Sequence, residues 1–100
     1  MKINEQNVVQ QLKKRNKKAL YYIIDHNGGL ITSIIRTHLY DLEAVHDDCM
    51  DDILLTIWDQ IDTFCPENNT FKNWVATVAK YKAIEYQKKY SKHYLSNIMC

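Results

Sequence analysis

Chain breakers are almost missing from this sequence: Gly28, Gly29 and Pro66 are its only glycines and proline in 100 residues. A β-sandwich or barrel needs turn residues every 8–12 positions, so a chain this poor in them is confined to long helices. With 46% apolar and 25% charged residues it has enough hydrophobic surface to fold, which excludes a disordered segment. Its length suits one small domain spanning 1–100. No window approaches the roughly 18 apolar residues of a membrane span. The opening MKINEQNVVQQ lacks the apolar stretch of a signal peptide, so a cytoplasmic location is expected. Cys49, Cys65 and Cys100 are odd in number and share no CxxC spacing, which fits a reducing compartment. The expected fold is all-α, a compact bundle of about four helices.

Four segments follow from the periodicity. The first, about residues 4–15, has Asn4 as its N-cap and a stripe of Val8, Val9 and Leu12, and runs into Lys13-Lys14-Arg15-Asn16-Lys17-Lys18. The second, about 17–40, keeps Leu20, Ile23, Ile24, Leu30, Ile31, Ile34 and Ile35 in one helical phase through Gly28-Gly29. That phase favours a continuous helix, with a turn at Asn27-Gly28 as its competitor. The third, about 43–63, puts Val45, Cys49, Met50, Ile53, Leu54, Ile57 and Ile61 on one half of a helical wheel. A loop at Phe64–Asn69 carries the proline, and Thr70 caps a fourth helix over about 71–91. The core stripe of that helix is Phe71, Trp74, Val75, Val78, Ala79 and Tyr86. Lys82 falls near this stripe and is expected to find an acidic partner on the third helix.

The charge is blocked. Residues 1–40 carry a net +5, residues 41–67 hold nine acids and no Lys or Arg, and residues 68–100 return to +5. Surfaces of opposite sign favour different partners. On the third segment Asp47, Asp48, Asp51, Asp52, Asp59 and Asp62 occupy the outer half, and Leu55 and Trp58 fall among them. Large apolar groups inside a charged rim are the pattern of a contact surface. The competing reading places both side chains beneath a neighbouring loop.

Little points to catalysis. Asp47-Asp48-Cys49-Met50-Asp51 has the DDxxD spacing of diphosphate-binding enzymes, but a chain of 100 residues offers neither their large cavity nor a second acidic motif. His46 and Cys49 supply two zinc ligands and nothing supplies the rest. There is no glycine-rich phosphate loop and no nucleophile elbow. No enzyme, cofactor or metal is expected. The fourth segment instead interleaves lysine with tyrosine (Lys80-Tyr81-Lys82, Tyr86, Lys88-Lys89-Tyr90, Lys92-His93-Tyr94). Lysines attract phosphates by counterion release and exposed rings stack on unpaired bases. A core role for Tyr81 and Tyr86, with the lysines merely solvated, is the alternative.

The stretches Asp48–Trp58, Phe64–Trp74 and Val78–Tyr86, in that order, resemble region 2 of bacterial sigma factors, most closely the extracytoplasmic-function type, over about residues 5–93. The shared pattern is an acidic helix ending in Trp, a short loop, an aromatic-x-x-Trp helix start and an Ala-Lys-Tyr-Lys-Ala-Ile-Glu-Tyr run followed by basic residues. The resemblance implies that Asp48, Asp51, Asp52, Leu55 and Trp58 dock on the clamp helices of the largest subunit of core RNA polymerase. It implies that Glu67, Asn68, Asn69 and Thr70 capture a base flipped from the non-template strand of the promoter minus-ten element. The same resemblance assigns Lys72, Asn73, Lys80, Ile84, Gln87 and Lys88 to that DNA; Phe71 and Trp74 also match family positions, but the helical stripe places them in the core. An anti-sigma factor is a further partner class, and no membrane association is expected. Asp51-Asp52 replaces the family's usual Gln-Glu, Tyr81 its common Asn, and lysines its arginines, which removes bidentate base reading at those positions. The helix-turn-helix domain that reads the minus-thirty-five element is absent from this chain, as in a fragment or a half-sigma working with a partner. A regulatory interaction domain that uses the acidic helix and never touches DNA is the alternative function.

Overall fold

A computed structural model describes residues 2–90 as an all-α bundle of four helices, with no strand among the described residues. The helices are α1 (Val8–Lys13), α2 (Lys17–His38), α3 (His46–Gln60) and α4 (Phe71–Tyr90). Short 3-10 turns at Glu43–Val45 and Ile61–Thr63 extend α3 at both ends, so helical structure covers the whole expected third segment. Ser91 and the Lys92-His93-Tyr94 run lie outside the described residues, as does Cys100.

The shortest helix departs most from expectation. Asn4 does cap a turn, its side-chain oxygen accepting from the backbone of Gln6 at 2.9 Å and Asn7 at 3.1 Å. Asn7 returns the bond by accepting from the Asn4 backbone at 2.8 Å. Such local side-chain bonds compete with helix, so α1 starts only at Val8. It ends early as well. The backbone N–H groups of Arg15 and Asn16 bond to the carbonyls of Leu12 and Gln11, and Arg15 sits at φ 61°. This is a Schellman closure with arginine in the left-handed position that glycine normally fills. The adjacent Asn16 then caps α2 by accepting from the Lys18 backbone at 3.0 Å.

The long second helix runs unbroken through Gly28-Gly29, which excludes the turn reading. Its buried positions Ala19, Ile23, Ile31 and Ile35 keep a single face, while Ile24 points outward at 45% exposure. That face meets α3 through Cys49, Ile53 and Ile57 and α4 through Val75, Ala79 and Ala83. The α4 residues are small and spaced i, i+4, i+8, which lets α4 lie close to its neighbours. Ala83 was not in the expected stripe, and Phe71, Trp74, Val78 and Tyr86 are half-buried at its margins. Phe64, expected in the loop, is instead core at 6% exposure. Its ring packs edge-on to Phe71 at 5.7 Å and tilted against Trp74 at 5.5 Å, which ties the start of the loop to the start of α4.

Neither helical glycine is required by a neighbour: a Cβ at Gly28 or Gly29 meets nothing within 4 Å. Each glycine therefore costs backbone entropy without relieving a clash. Gly29→Ala is expected to stabilise the fold by about 0.5–1 kcal/mol, seen as a higher urea midpoint with an unchanged slope.

Candidate protein and nucleic-acid interfaces

The period of α3 sets its two faces. Cys49, Ile53, Ile57 and, in the following turn, Ile61 point inward and are fully buried. The outward residues Asp48, Asp51, Leu55, Asp59 and Asp62 recur at helical spacing and are all exposed. Leu55, at 59% exposure, protrudes from this ridge rather than lying under a loop. Among the described residues, the ridge acids make one ion pair, Asp62 with Arg15 at 3.6 Å. No lysine among the described residues pairs with Asp48, Asp51 or Asp59.

Two of the five residues assigned to this surface are only partly free. Trp58 is half-buried and packs against the core. The guanidinium of Arg15 lies over its ring at 5.7 Å and donates to its backbone carbonyl at 2.8 Å. Asp52 is also half-buried, because its carboxylate accepts from the Tyr86 hydroxyl at 2.5 Å. That hydroxyl lies 3.2 Å from the Asp48 carbonyl as well. Tyr86 thus bolts α4 to α3 and takes Asp52 away from the outer stripe. With Asp52 engaged, Lys82 pairs with Glu85 of its own helix at 3.3 Å, not with an acid of α3. Partial burial, then the bond to the Asp52 carboxylate, hold the Tyr86 phenol well above its ordinary pKa. Burial, followed by the nearby Asp52 charge, pushes the Cys49 thiol up to about 11, so it is an inert core group.

The second region lies where the chain leaves α3. Glu67, Asn68, Asn69 and Thr70 are exposed and line an open cleft of about 680 Å³. Phe64, Pro66, Phe71 and Asn73 contribute to the same cleft. Thr70 caps α4 as expected, its hydroxyl accepting from the Asn73 backbone at 3.1 Å, and Asn69 accepts from the Thr70 backbone at 3.0 Å. From Asn73 an outer stripe continues along α4 through Thr77, Lys80, Ile84 and Gln87–Lys88 at helical spacing. Asn73, Lys80 and Lys88 are exposed, whereas Ile84 and Gln87 are half-buried. Asn73 and Lys80 line a further groove of about 300 Å³ with Ile34 and His38 of α2. Lys72 turns to the other side of the helix start, toward a cavity shared with Tyr22 and His26. The structure therefore joins the loop, Asn73 and Lys80 along one continuous margin and leaves Lys72 off it. Tyr81 is exposed at 65%, which removes the core reading for this ring.

Sequence reasoning missed Glu5, Gln6 and Val9, which close the loop cleft from the N-terminal segment, and Ile34 and His38 beside Lys80. These contacts are long-range, and no local pattern announces them. His46 Nε2 is bonded to the Leu39 carbonyl at 2.6 Å, and the described residues contain no group of three His, Cys, Asp or Glu able to hold a metal. No described helix is long and apolar enough to cross a membrane.

A family model described as Sigma-70 region 2 matches residues 23–93, from the second turn of α2 past the end of α4. Comparison with curated proteins and with solved structures returned no match.

The Tyr86 bond makes a direct prediction. Tyr86→Phe is expected to destabilise the fold by about 1 kcal/mol at neutral pH, the usual net value of one hydrogen bond. A phenol whose folded pKa is raised contributes stability that is whole below its unfolded pKa of 10.0 and is lost as pH climbs through the folded value. The thermal unfolding midpoint above pH 10 is therefore expected to fall more steeply for the wild type than for Tyr86→Phe.

Proposed function

The chain belongs to the sigma-70 region 2 family, and from that premise we propose that it is a transcription-initiation module of the extracytoplasmic-function type, acting in the cytoplasm as a single domain over residues 1–100. In this reading the ridge of α3 docks on core RNA polymerase, and the loop with the outer stripe of α4 recognises and melts the promoter minus-ten element. No bond chemistry is involved. The family is a non-catalytic one.

The observation that carries the reading is the open ridge: carboxylates at Asp48, Asp51 and Asp59 around a protruding Leu55. A cell factor exposing a large apolar side chain inside a charged rim is built to be covered by a protein. Asp52 and Trp58 support that surface from below: Tyr86 holds the first, and Arg15 the second. On the nucleic-acid side the loop cleft is wide enough for an unstacked base, with Asn68 and Asn69 offering both donors and acceptors. Holding such a base lowers the cost of unpairing it from the duplex. Lys80 and Lys88 add phosphate attraction that weakens with salt, and, being lysines, add little base discrimination.

The two surfaces are separable by mutation. Asp51→Arg is expected to weaken binding to core polymerase about tenfold or more, or ~1.4 kcal/mol, and to leave binding of a single-stranded non-template oligonucleotide unchanged. Asn68→Ala with Asn69→Ala is expected to do the reverse. Unchanged affinity of Asp51→Arg for polymerase contradicts the docking surface. Equal loss of every oligonucleotide, whatever its sequence, reduces the loop to a sequence-independent contact. Polymerase binding without any promoter-strand binding selects the regulatory interaction domain instead.

A further inference from the structure

Beside the loop cleft lies a second cavity, of about 420 Å³, that the docking and promoter surfaces leave unused. It is enclosed by the N-terminal segment, α2 and the start of α4. Val8, 1% exposed, and Leu30 give it an apolar base that reaches the core. Part of its wall is flat. Tyr22 and His26, one turn apart on α2, stack with ring centres 4.0 Å apart and planes 15° from parallel. His26 Nδ1 donates to the Tyr22 carbonyl at 3.1 Å, which holds the imidazole on the phenol and leaves Nε2 as the acceptor of the neutral ring. Phe71 adds a third ring, from α4. The polar part of the lining includes the Asn27 amide, Glu5 and Lys72. Among the described residues, Glu5 and Lys72 form no ion pair with each other or with any other side chain.

We propose that this cavity is a binding site for a free nucleoside 5′-monophosphate whose base carries an exocyclic amino group, a role that needs neither polymerase nor promoter. Each part of that ligand answers a part of the lining. The rings suit a planar heterocycle, since stacking on an aromatic wall is worth about 1–3 kcal/mol per base. The Asn27 amide can both donate to and accept from the edge of the base, whereas the Glu5 carboxylate only accepts, which selects an amino group over a carbonyl. Lys72, in the first turn of α4, supplies a positive charge for the phosphate. The volume also falls within the roughly 300–1,000 Å³ of small-molecule sites. Glu5, Thr70 and Phe71 line both this cavity and the loop cleft and so form the partition between them. Lys72 lies off the margin that joins the loop to Asn73 and Lys80. A strand following that margin passes the cavity by, so the ligand enters on its own and not as the next nucleotide of the strand.

Titration of the full chain with AMP, followed through the NMR signals of Tyr22, His26 and Phe71, tests the site. Saturable shifts of these rings are expected. UMP, which has no amino group, and adenosine, which has no phosphate, are each expected to bind about tenfold more weakly than AMP. Lys72→Ala is expected to lower the affinity for AMP to that for adenosine, and Glu5→Ala to lower it to that for UMP. His26→Ala is expected to weaken AMP and UMP alike. All three residues are exposed, so the variants are expected to keep the urea midpoint of the wild type. No saturable shift with AMP overturns the proposal. Equal affinity for AMP, UMP and inorganic phosphate overturns it as well, by reducing the cavity to a charge contact. Tighter binding of phenylalanine than of AMP gives the cavity to an amino acid, and displacement of AMP by a single-stranded promoter oligonucleotide gives it to the strand; either result overturns the proposal.

Discussion

The buried face of α3 is the constraint on which everything else rests. Cys49, Ile53 and Ile57 occupy one line of the helix, sealed between α2 and α4, and Ile61 continues that line in the following turn, which packs on α1. Once that line is inside, the helical period leaves no choice for Asp48, Asp51, Leu55 and Asp59, which must face outward. Core and contact surface are two readings of one periodicity. A rotation of α3 by one residue would bury carboxylates without partners, at a cost no domain of this size tolerates.

Around that helix, single long-range contacts decide which outward groups stay free. Tyr86 draws Asp52 into the α3–α4 seam, and Arg15 draws Trp58 and Asp62 toward α1. What remains exposed is a narrower ridge than the acid count suggests, with Leu55 at its centre. The loop margin is organised separately, by Phe64 anchoring one end of the loop in the core and Thr70 capping the helix at the other. Fixed ends with an exposed middle keep the amide side chains of Asn68 and Asn69 available while holding the cleft open.

The helices were legible because their signals are local. The phase of Ile23, Ile31 and Ile35 correctly carried α2 through its glycines, and Thr70 marked the start of α4. Errors gathered where distant residues intervene. Phe64 reads as loop until Phe71 and Trp74 close over it. Asp52 reads as ridge until Tyr86, 34 residues on, claims its carboxylate. Lys82 reads as needing an acid on α3, yet Asp52 is bonded to Tyr86 and Lys82 pairs with Glu85, one turn away on its own helix. Arg15, set 43 residues from Trp58, carries no sequence mark of its stacking role, and Asn4, read as the cap of the first helix, joins Asn7 in local bonds that delay it to Val8. The exposed ridge and the loop were thus read from spacing and resemblance, whereas the closing contributions of Glu5, Gln6 and His38 required the tertiary structure.

The central claim is that the outer stripe of α3, and not the lysine-bearing stripe of α4, is the surface that meets the polymerase first. Hydrogen exchange on the intact chain mixed with core polymerase, before and after addition of single-stranded promoter DNA, tests it most directly. The account predicts slowed exchange across α3 on polymerase addition alone, with the Phe64–Asn69 loop and the start of α4 slowing only when DNA is added. Protection that begins on the loop and α4 while α3 exchanges as in the free chain would contradict it.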